Sequence, residues 1–218
     1  MELPALLVAV AVVVAAYLIG GIPWGIVVAR IVGGPDPRSL GSGRTGGANV
    51  LRALGFRAAL VAGFLDAAKG SLSVLIAMVV GADPIVQVLA ALAAIVGHSR
   101  SPYIGLRGGR GVAPAWGGLL IIQPVVALLV IPLFVVVLLV TRISSVASLA
   151  TSVASAIALL VAIAVVPLPP AFAAYAVVGP VVIWVFHADN IQRLLAGEER
   201  RIEWHLRGRP GRPRSGRE

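Results

Sequence analysis

Residues 40–52, LGSGRTGGANVLR, contain an unusual density of groups that could bind an anion. The glycines allow positive φ angles, which bring backbone N–H groups together into a concave surface. The serine hydroxyl and the asparagine amide add donors, and the two guanidinium groups match phosphate oxygens. A flexible hinge is the alternative, but this combination of residue types favours a phosphate-like anion site. Its candidate residues are Gly41, Ser42, Gly43, Arg44, Gly46, Gly47, Asn49 and Arg52.

The sequence RGGRG, residues 107–111, repeats this design further along the chain. A stretch of backbone with little side-chain obstruction again lies between two arginines. The alternative is that the glycines allow close helix packing, which suits the later pair Gly117 and Gly118 better. The pattern therefore indicates a second anion subsite, formed by Gly108, Gly109, Arg110 and Gly111.

A third polar segment, HADNIQRLLAGEERR, occupies residues 187–201. His187 and Asn190 are three residues apart, so on a helix they share one face and could act on the same ligand. A lone histidine at a membrane interface is also a common snorkelling group. Both interpretations remain open for His187, and the two arginine-containing loops are what favour a role in a site.

Three further polar residues lie in or beside apolar stretches. Asp66 and Lys69 have the spacing of an ion pair on one helix, and charges at that depth face protein or water. A self-neutralised pair that braces the helix bundle is the favoured interpretation, with Lys69 pointing to a substrate as the alternative. Ser145 stands at the start of a later apolar stretch, where it could reach the same site as the loops.

Almost all of the rest of the chain is apolar, and this defines the elements that must hold these groups. Hydrophobic residues make up 59% of 218 residues and charged residues 12%, with a mean hydropathy of +0.98. Apolar stretches of about 20 residues recur along the length, which predicts an all-α integral membrane protein. A kinked hairpin at Gln123-Pro124 would reduce seven spans to six. The predicted spans lie near residues 4–31, 56–80, 84–98, 111–123, 125–140, 145–166 and 170–187.

The positive charges test this arrangement. Seven spans place 17 of the 18 lysines and arginines at one face, and the exception is Lys69, about midway along the second span. Lys and Arg are retained on the cytoplasmic side, so we expect the N-terminus outside and the C-terminus in the cytoplasm. The glycine-rich and arginine-rich loops would then converge on one cytoplasmic site.

Domain organisation and partners follow from the same composition. Residues 1–203 are expected to form one polytopic membrane domain, followed by a basic disordered tail, residues 204–218, near anionic lipid headgroups. Membrane retention explains the net charge of +9, and the lack of aromatic–basic interleaving argues against nucleic acid. The chain has no cysteine, and we expect no metal, no cofactor and no obligate protein partner.

These features are compatible with a lipid-synthesising transferase or with a carrier of organic phosphates. The chain has no D-x-x-D motif, which argues against the phosphotransferases that use CDP-alcohols. No histidine is followed by the H-x-x-x-x-D box of the common glycerolipid acyltransferases, since Tyr103, Gln192 and Pro210 stand at that offset. An internal repeat, typical of transporters, is not evident either.

The three polar segments together resemble the PlsY-type acyl-phosphate:glycerol-3-phosphate acyltransferases, a bacterial membrane family. GSGRTGGANVLR is similar to the family pattern GSGNxGATNxLR, and GHSRSPYIGLRGGRGVAP to GHxFPxFxxFxGGKGVAT. HADNIQRLLAGEE is similar to HxxNIxRLLxGxE. The resemblance covers residues 18–203 with the motifs in the same order.

The resemblance implies an enzyme that moves an acyl group from acyl phosphate to the primary hydroxyl of sn-glycerol 3-phosphate. Lysophosphatidic acid and phosphate would be the products, in the first step of bacterial phospholipid synthesis. By resemblance, Ser42 and Arg52 orient the reacting groups with support from Asn49, residues 108–111 enclose glycerol 3-phosphate, and His187 and Asn190 complete the site. A membrane transporter of an anionic phospho-compound is the alternative function.

Four positions depart from the family patterns. Arg44 stands in place of Asn, Ala48 and Pro114 in place of Thr, and Arg110 in place of Lys. Arg110 keeps the positive charge of the family lysine but is bulkier and bidentate, so phosphate binding should survive with altered geometry. Ala48 lacks the hydroxyl donor of threonine, and Arg44 is positioned in the sequence to compensate for it.

Overall fold

The computed structural model describes residues 2–202, and the regular structure within that range is helical throughout. The predicted all-α class is therefore confirmed. Six of the predicted spans correspond to helices whose ends lie within two residues of the expected positions. The helices are α1 (Leu3–Gly21), α2 (Trp24–Ile31), α3 (Gly47–Leu54), α4 (Phe56–Val79), α5 (Pro84–Ser99), α6 (Val112–Ile122), α7 (Pro124–Thr141), α8 (Ser144–Val165), α9 (Phe172–Phe186) and α10 (Ala188–Leu195).

Not every apolar helix is long enough to cross a bilayer. Among the described residues, α1, α4, α7, α8 and α5 with the short turn that follows it each satisfy the length and hydropathy of a span. Helices α9 and α10 add a sixth if they are counted together, although they are bent by 64°. Helix α6 is apolar but has only 11 residues. Five or six helices thus have full spanning length, where the sequence indicated about seven.

The first predicted span, residues 4–31, is not continuous. Helix α1 ends at Gly21 and α2 begins at Trp24, because Pro23 has no N–H to continue the hydrogen-bond ladder and its ring clashes with the preceding turn. The break frees two carbonyl groups in an apolar region, where each needs a donor. Ser101 Oγ donates to the Gly21 carbonyl at 2.6 Å, and Lys69 Nζ donates to the Ile22 carbonyl at 2.8 Å.

Small residues set how closely the helices approach. A side chain at Gly20 would collide with the Ala94 backbone, so α1 and α5 pack almost backbone to backbone. Gly117 of α6 lies in the same way against Ala67 of α4, as the packing interpretation of that glycine expects. Helix α4 consequently lies at the centre of the bundle, in contact with α1, α2, α3, α5 and α6.

The remaining helices close the other side of the bundle. Helix α8 packs between α7 and α9, and α9 returns to contact α5. Their shared core is apolar and includes Val88, Ile95, Leu119 and Leu159, all buried. The polar segments are left together at one end of the bundle, and the cavity described next is located there.

Candidate active site

A cavity of about 610 Å³ lies where the first loop (residues 33–46), α3, the second loop (residues 100–111), the start of α8 and α10 meet. Residues that are far apart in the sequence line its polar end. The structure therefore brings together most of the residues singled out from the sequence. Of these, the cavity wall contains Ser42, Asn49, Arg52, Arg110, Ser145, His187 and Asn190.

Asn49 organises the first loop. Its buried amide Nδ2 donates to the Leu40 carbonyl at 3.1 Å, to Ser42 Oγ at 3.2 Å and to the Arg44 carbonyl at 2.9 Å. Its Oδ1 accepts from Arg52 Nη1 at 3.0 Å. The amide is thus fully used within the protein. Asn49 supports Ser42 and Arg52 rather than facing a ligand with free donors.

The loop glycines divide into two groups. Gly41 and Gly43 have φ angles of +57° and +69°, so they make the turn that returns the chain towards Asn49, but they do not line the cavity. Gly46 and Gly47 do line it, at the N-terminus of α3, together with Ala48. The first N–H groups of a helix have no partner within the helix, so this end of α3 presents donors to the cavity.

The interpretation of residues 108–111 as an anion-binding nest is corrected by the structure. Gly108 N–H donates to the Ser99 carbonyl at 3.1 Å and Gly109 N–H to the His98 carbonyl at 3.0 Å, so both N–H groups are already paired. Gly111, with φ +81°, lies against Ile95 at the start of α6. These glycines pack on the end of α5. Only Arg110 of this segment lines the cavity.

The Asp189 carboxylate lies close to one arginine from the first loop, one from the second loop and one from α10. Its Oδ2 lies 2.8 Å from Arg110 Nη2 and 3.3 Å from Arg193 Nη1, and its Oδ1 lies 3.9 Å from Arg44 Nη2. Burial raises the pKa of the Asp189 carboxyl, but Arg110, Arg44 and Arg193 together lower it by more. The pKa therefore lies below its usual value. The carboxylate thus partly neutralises the three guanidinium groups.

His187 lies at the junction between α9 and α10, buried beneath this cluster. Its Nδ1 is 2.8 Å from the Ile183 carbonyl, so Nδ1 carries the proton and Nε2 of the neutral ring is an acceptor. The neutral ring can therefore accept a proton at Nε2.

Glu199 joins α10 to the start of α8. It accepts from Ser145 Oγ at 3.0 Å, from Asn190 Nδ2 at 2.6 Å and from Arg193 Nε at 2.8 Å. Its arginine partner, Arg193, therefore belongs to α10 and not to one of the two loops. Within residues 2–202, the buried Asn190 Oδ1 and Arg110 Nε have no partner, so both remain available to a ligand.

Lys69 does not line the cavity. Its Nζ lies 2.7 Å from Asp66 Oδ1, as the ion-pair interpretation expects, and 2.8 Å from Nδ1 of His98. The alternative, in which Lys69 points to a substrate, does not fit these contacts. Asp66 and His98, by contrast, do reach the cavity wall.

Sequence analysis did not single out two residues that the structure places at or beside the cavity, His98 and Asp189. His98 is preceded only by apolar helix, and its position inside the motif GHSRSP was the available signal. Asp189 stands between His187 and Asn190, and the excess of arginine in the loops was a reason to look for a counter-ion there. Neither contact is visible without the fold, because their partners lie on other elements.

The opposite side of the same cavity is an apolar groove between α4 and α7. Phe56, Leu60 and Phe64 of α4 line it and are 62%, 56% and 73% exposed, so the groove is open at the side of the bundle. Residues of α7, including Ile131 and Phe134, form the facing wall. One cavity therefore offers a cationic end and an apolar groove, which suits an amphiphile with an anionic headgroup.

The comparisons with known proteins identify the family. Residues 10–197 match the family model described as glycerol-3-phosphate acyltransferase. Glycerol-3-phosphate acyltransferase 3 of Dehalococcoides mccartyi (strain CBDB1) is 39% identical over 203 residues, covering 88% of this chain and 94% of that protein. Glycerol-3-phosphate acyltransferase of Roseiflexus sp. (strain RS-1) is 42% identical over 195 residues, covering 89% and 95%.

Solved structures give the same result. The crystal structure of PlsY (YgiH), an integral membrane glycerol 3-phosphate acyltransferase, in its glycerol 3-phosphate form superimposes with a TM-score of 0.81 at 36% identity. The match covers 89% of this chain and 96% of that one. The lysophosphatidic acid form of the same enzyme also has a TM-score of 0.81, at 35% identity. The chain is thus a multi-pass integral membrane protein that belongs to the glycerol-3-phosphate acyltransferase family.

Proposed function

We propose that the protein transfers an acyl group from acyl phosphate to the primary hydroxyl of sn-glycerol 3-phosphate, releasing lysophosphatidic acid and inorganic phosphate. The observation that carries this proposal is the single cavity that joins Arg52 and Arg110 to the apolar groove between α4 and α7. The names of the relatives and the glycerol 3-phosphate form of PlsY support the choice of the polar substrate.

The phosphate of glycerol 3-phosphate binds at the arginine end of the cavity. Arg110 and Arg44 offer forked donors that match its oxygens, and Asn190 has a free acceptor for a glycerol hydroxyl. A phosphate dianion competes with the Asp189 carboxylate for Arg110. The N-terminus of α3, lined by Gly46 and Gly47, adds backbone donors on the opposite wall.

The acyl chain of the donor lies in the groove, with its phosphate at the cationic end beside Ser42 and Arg52. An acyl phosphate is a mixed anhydride and already activated, so no covalent acyl-enzyme is needed. The site has to align the glycerol hydroxyl with the acyl carbon and to stabilise the oxyanion and the departing phosphate. Guanidinium and N–H donors serve both purposes.

The reaction forms a bond between the glycerol oxygen and the acyl carbon and breaks the bond from that carbon to the phosphate oxygen. The hydroxyl proton passes to Nε2 of His187 or to a substrate phosphate oxygen, and the departing phosphate takes the electron pair. Neither acceptor requires a carboxylate partner for the histidine. The effect of His187→Ala on turnover distinguishes the two, as described in the Discussion.

The same proposal includes the placement of the enzyme. Residues 1–203 form one membrane domain of the bacterial inner membrane, with the N-terminus outside and the cavity facing the cytoplasm, where glycerol 3-phosphate is soluble. The basic tail, residues 204–218, lies outside the described residues. Acyl phosphate and glycerol 3-phosphate are the small-molecule partners, and the reaction needs no cofactor.

The decisive experiment follows both products from the protein purified in lipid. Palmitoyl phosphate and glycerol 3-phosphate should give equal amounts of inorganic phosphate and lysophosphatidic acid. Ser42→Ala should remove both products, whereas Ser39→Ala, an exposed serine of the same loop outside the cavity, should retain them. A preparation that moves a phospho-compound across sealed vesicles unchanged, without forming either product, would instead establish the transporter.

A further inference from the structure

The buried cluster of Asp66, Lys69 and His98 has no part in the proposed chemistry. The three side chains are 4%, 3% and 6% exposed and come from α4 and the end of α5. Lys69 Nζ donates to the Ile22 carbonyl at 2.8 Å, contacts His98 Nδ1 at 2.8 Å and forms an ion pair with Asp66 Oδ1 at 2.7 Å. Asp66 Oδ1 also lies 3.4 Å from His98 Nδ1, so the three buried side chains hold one another in place.

These contacts determine how the His98 ring is held. Because the ammonium of Lys69 donates to it, His98 accepts at Nδ1 and carries its proton on Nε2. The Nε2 edge of the ring lies against Gly109, where an added Cβ would collide with Nε2 and Cε1. The His98 carbonyl accepts the Gly109 N–H at 3.0 Å and leaves no room for a side chain at Gly108. His98 therefore contacts the second loop with both its ring and its backbone.

Arg110 follows immediately after this contact. Its guanidinium lies 2.8 Å from Asp189 and 3.5 Å from Ser42 Oγ, and its side chain is only 16% exposed. A mostly buried side chain cannot compensate freely for movement of its own backbone. A shift of Gly109 on the ring of His98 would consequently move Arg110 relative to Ser42.

We propose that the Asp66–Lys69–His98 cluster is a positioning element for the phosphate site, which fixes Arg110 through the contact between His98 and Gly109. This inference rests on the proposed function only in the identity of the phosphate ligand. Lys69 also donates to the Ile22 carbonyl, so the cluster is held in place by the break between α1 and α2. None of the three side chains needs to touch the substrate.

Two variants disturb the contact from opposite sides while keeping the charge of the cluster. His98→Asn retains an acceptor for Lys69 but removes the ring, and Gly109→Ala pushes the loop away from an intact ring. Each should raise the apparent KM for glycerol 3-phosphate about tenfold and leave kcat within about twofold. The dissociation constant for inorganic phosphate, measured without turnover, should rise by a similar factor. Gly179→Ala in α9, where a Cβ has ordinary contacts, is the matched control and should change neither value.

A double-mutant cycle separates this role from general structural damage. If His98 acts through Arg110, adding His98→Asn to Arg110→Ala should raise the phosphate dissociation constant no further. Full additivity of the two changes, or a loss of kcat at unchanged KM, would overturn the proposal. If His98→Asn does not fold, as judged by its Tm, the same cycle with Gly109→Ala decides the question.

The phosphate measurements also keep the two proposals apart. Wild-type protein that binds inorganic phosphate and obeys the cycle, yet forms no lysophosphatidic acid, would retain the positioning role and disprove the proposed reaction. Normal acyl transfer combined with an additive cycle would retain the proposed reaction and disprove the positioning role.

Discussion

At the scale of single residues, the main feature is that the arginines share one carboxylate. Arg44, Arg110 and Arg193 come from three elements and meet at Asp189. Like charges that converge without a counter-ion would repel one another in a half-buried site. Asp189 therefore holds the arginines together and, on the proposed function, also competes with the phosphate of the substrate for them.

Replacing this carboxylate should tighten phosphate binding. Asp189→Asn keeps the size of the side chain but removes its charge, so a phosphate dianion no longer displaces an anion from Arg110. We expect the inhibition constant of inorganic phosphate and the KM for glycerol 3-phosphate both to fall about three- to tenfold. A rise in both constants would mean that Asp189 orients Arg110 more than it competes.

The pH dependence of this variant is a further check. Arginines lower the pKa of Asp189 below that of the unfolded chain, so the stability from its ion pairs is complete above that unfolded value. This stability is lost only as the pH falls through the lower pKa that Asp189 has in the folded protein. Between pH 5 and 8 the free energy of unfolding should therefore vary with pH in the same way in the wild type and in Asp189→Asn.

Arg110 is expected to act mainly in binding. Arg110→Ala should raise the apparent KM for glycerol 3-phosphate about tenfold or more with a smaller change in kcat, because the ion pair with phosphate exists in the ground state. Arg110→Lys, which installs the residue of the family pattern, should have a much smaller effect. An unchanged KM with abolished turnover in Arg110→Ala would contradict this binding role.

His187 is expected to act in turnover. His187→Ala should reduce kcat by about 10²-fold or more if Nε2 accepts the hydroxyl proton. Full activity in His187→Ala would favour the substrate phosphate as the acceptor.

At the scale of helices, the break in the first apolar stretch shows where prediction from sequence stops. Periodicity and Pro or Gly boundaries locate α4 to α9 because each apolar run ends at a residue that cannot continue it. Residues 4–29 have no charged interruption, so Gly20, Gly21 and Pro23 are the signals of the break. The partners that make the break tolerable, Ser101 and Lys69, are about 80 and 47 residues away in the chain.

Removing one of these partners should cost stability without touching the site. Ser101→Ala leaves the Gly21 carbonyl without its donor in an apolar region, which should lower the free energy of unfolding by about 1–3 kcal/mol. Ser39→Ala, whose hydroxyl bonds to the Asp36 carbonyl in an exposed loop, serves as the control and should change stability by less than about 0.5 kcal/mol. Thermal unfolding in detergent measures both. Equal Tm values for the two variants would show that the Gly21 carbonyl does not depend on Ser101.

The loops show the same limit in a different form. The structure places Ser42, Arg44, Asn49 and Arg52 beside one cavity, as their unusual types between apolar helices led us to expect, whereas Gly41 and Gly43 do not line it. The expectation of free anion-binding N–H groups does not hold for Gly108 and Gly109, since a glycine permits close approach but does not specify what approaches. In the fold the approaching group is the end of α5. The second loop follows this helix in the chain and turns back against its last residues.

At the scale of the whole molecule, the two ends of the bundle differ in polarity. The cavity lies at the start of α8, and the connection between α8 and α9 is therefore about 33 Å away, at the other end of a 22-residue helix. The absence of cysteine from the sequence makes single-cysteine labelling straightforward. Ser39→Cys and Val166→Cys place one thiol near each end, and both positions are exposed.

The proposed orientation predicts opposite labelling of these two thiols. In intact cells with an impermeant maleimide, Val166→Cys should react and Ser39→Cys should be protected until the membrane is opened. The reverse pattern would place the cavity outside the cell. Labelling of both thiols in intact cells would mean that the preparation is leaky or that the two ends are not separated by a membrane.

The open side of the groove between α4 and α7 has a kinetic consequence. Through the arginine end the enzyme meets a solute that diffuses in three dimensions, whereas through the groove it meets an amphiphile confined to two. On the proposed function, the first substrate is counted per litre of water and the second per area of bilayer. Diluting the membrane with inert lipid should thus slow acyl transfer even when the total amount of acyl phosphate in the tube is unchanged.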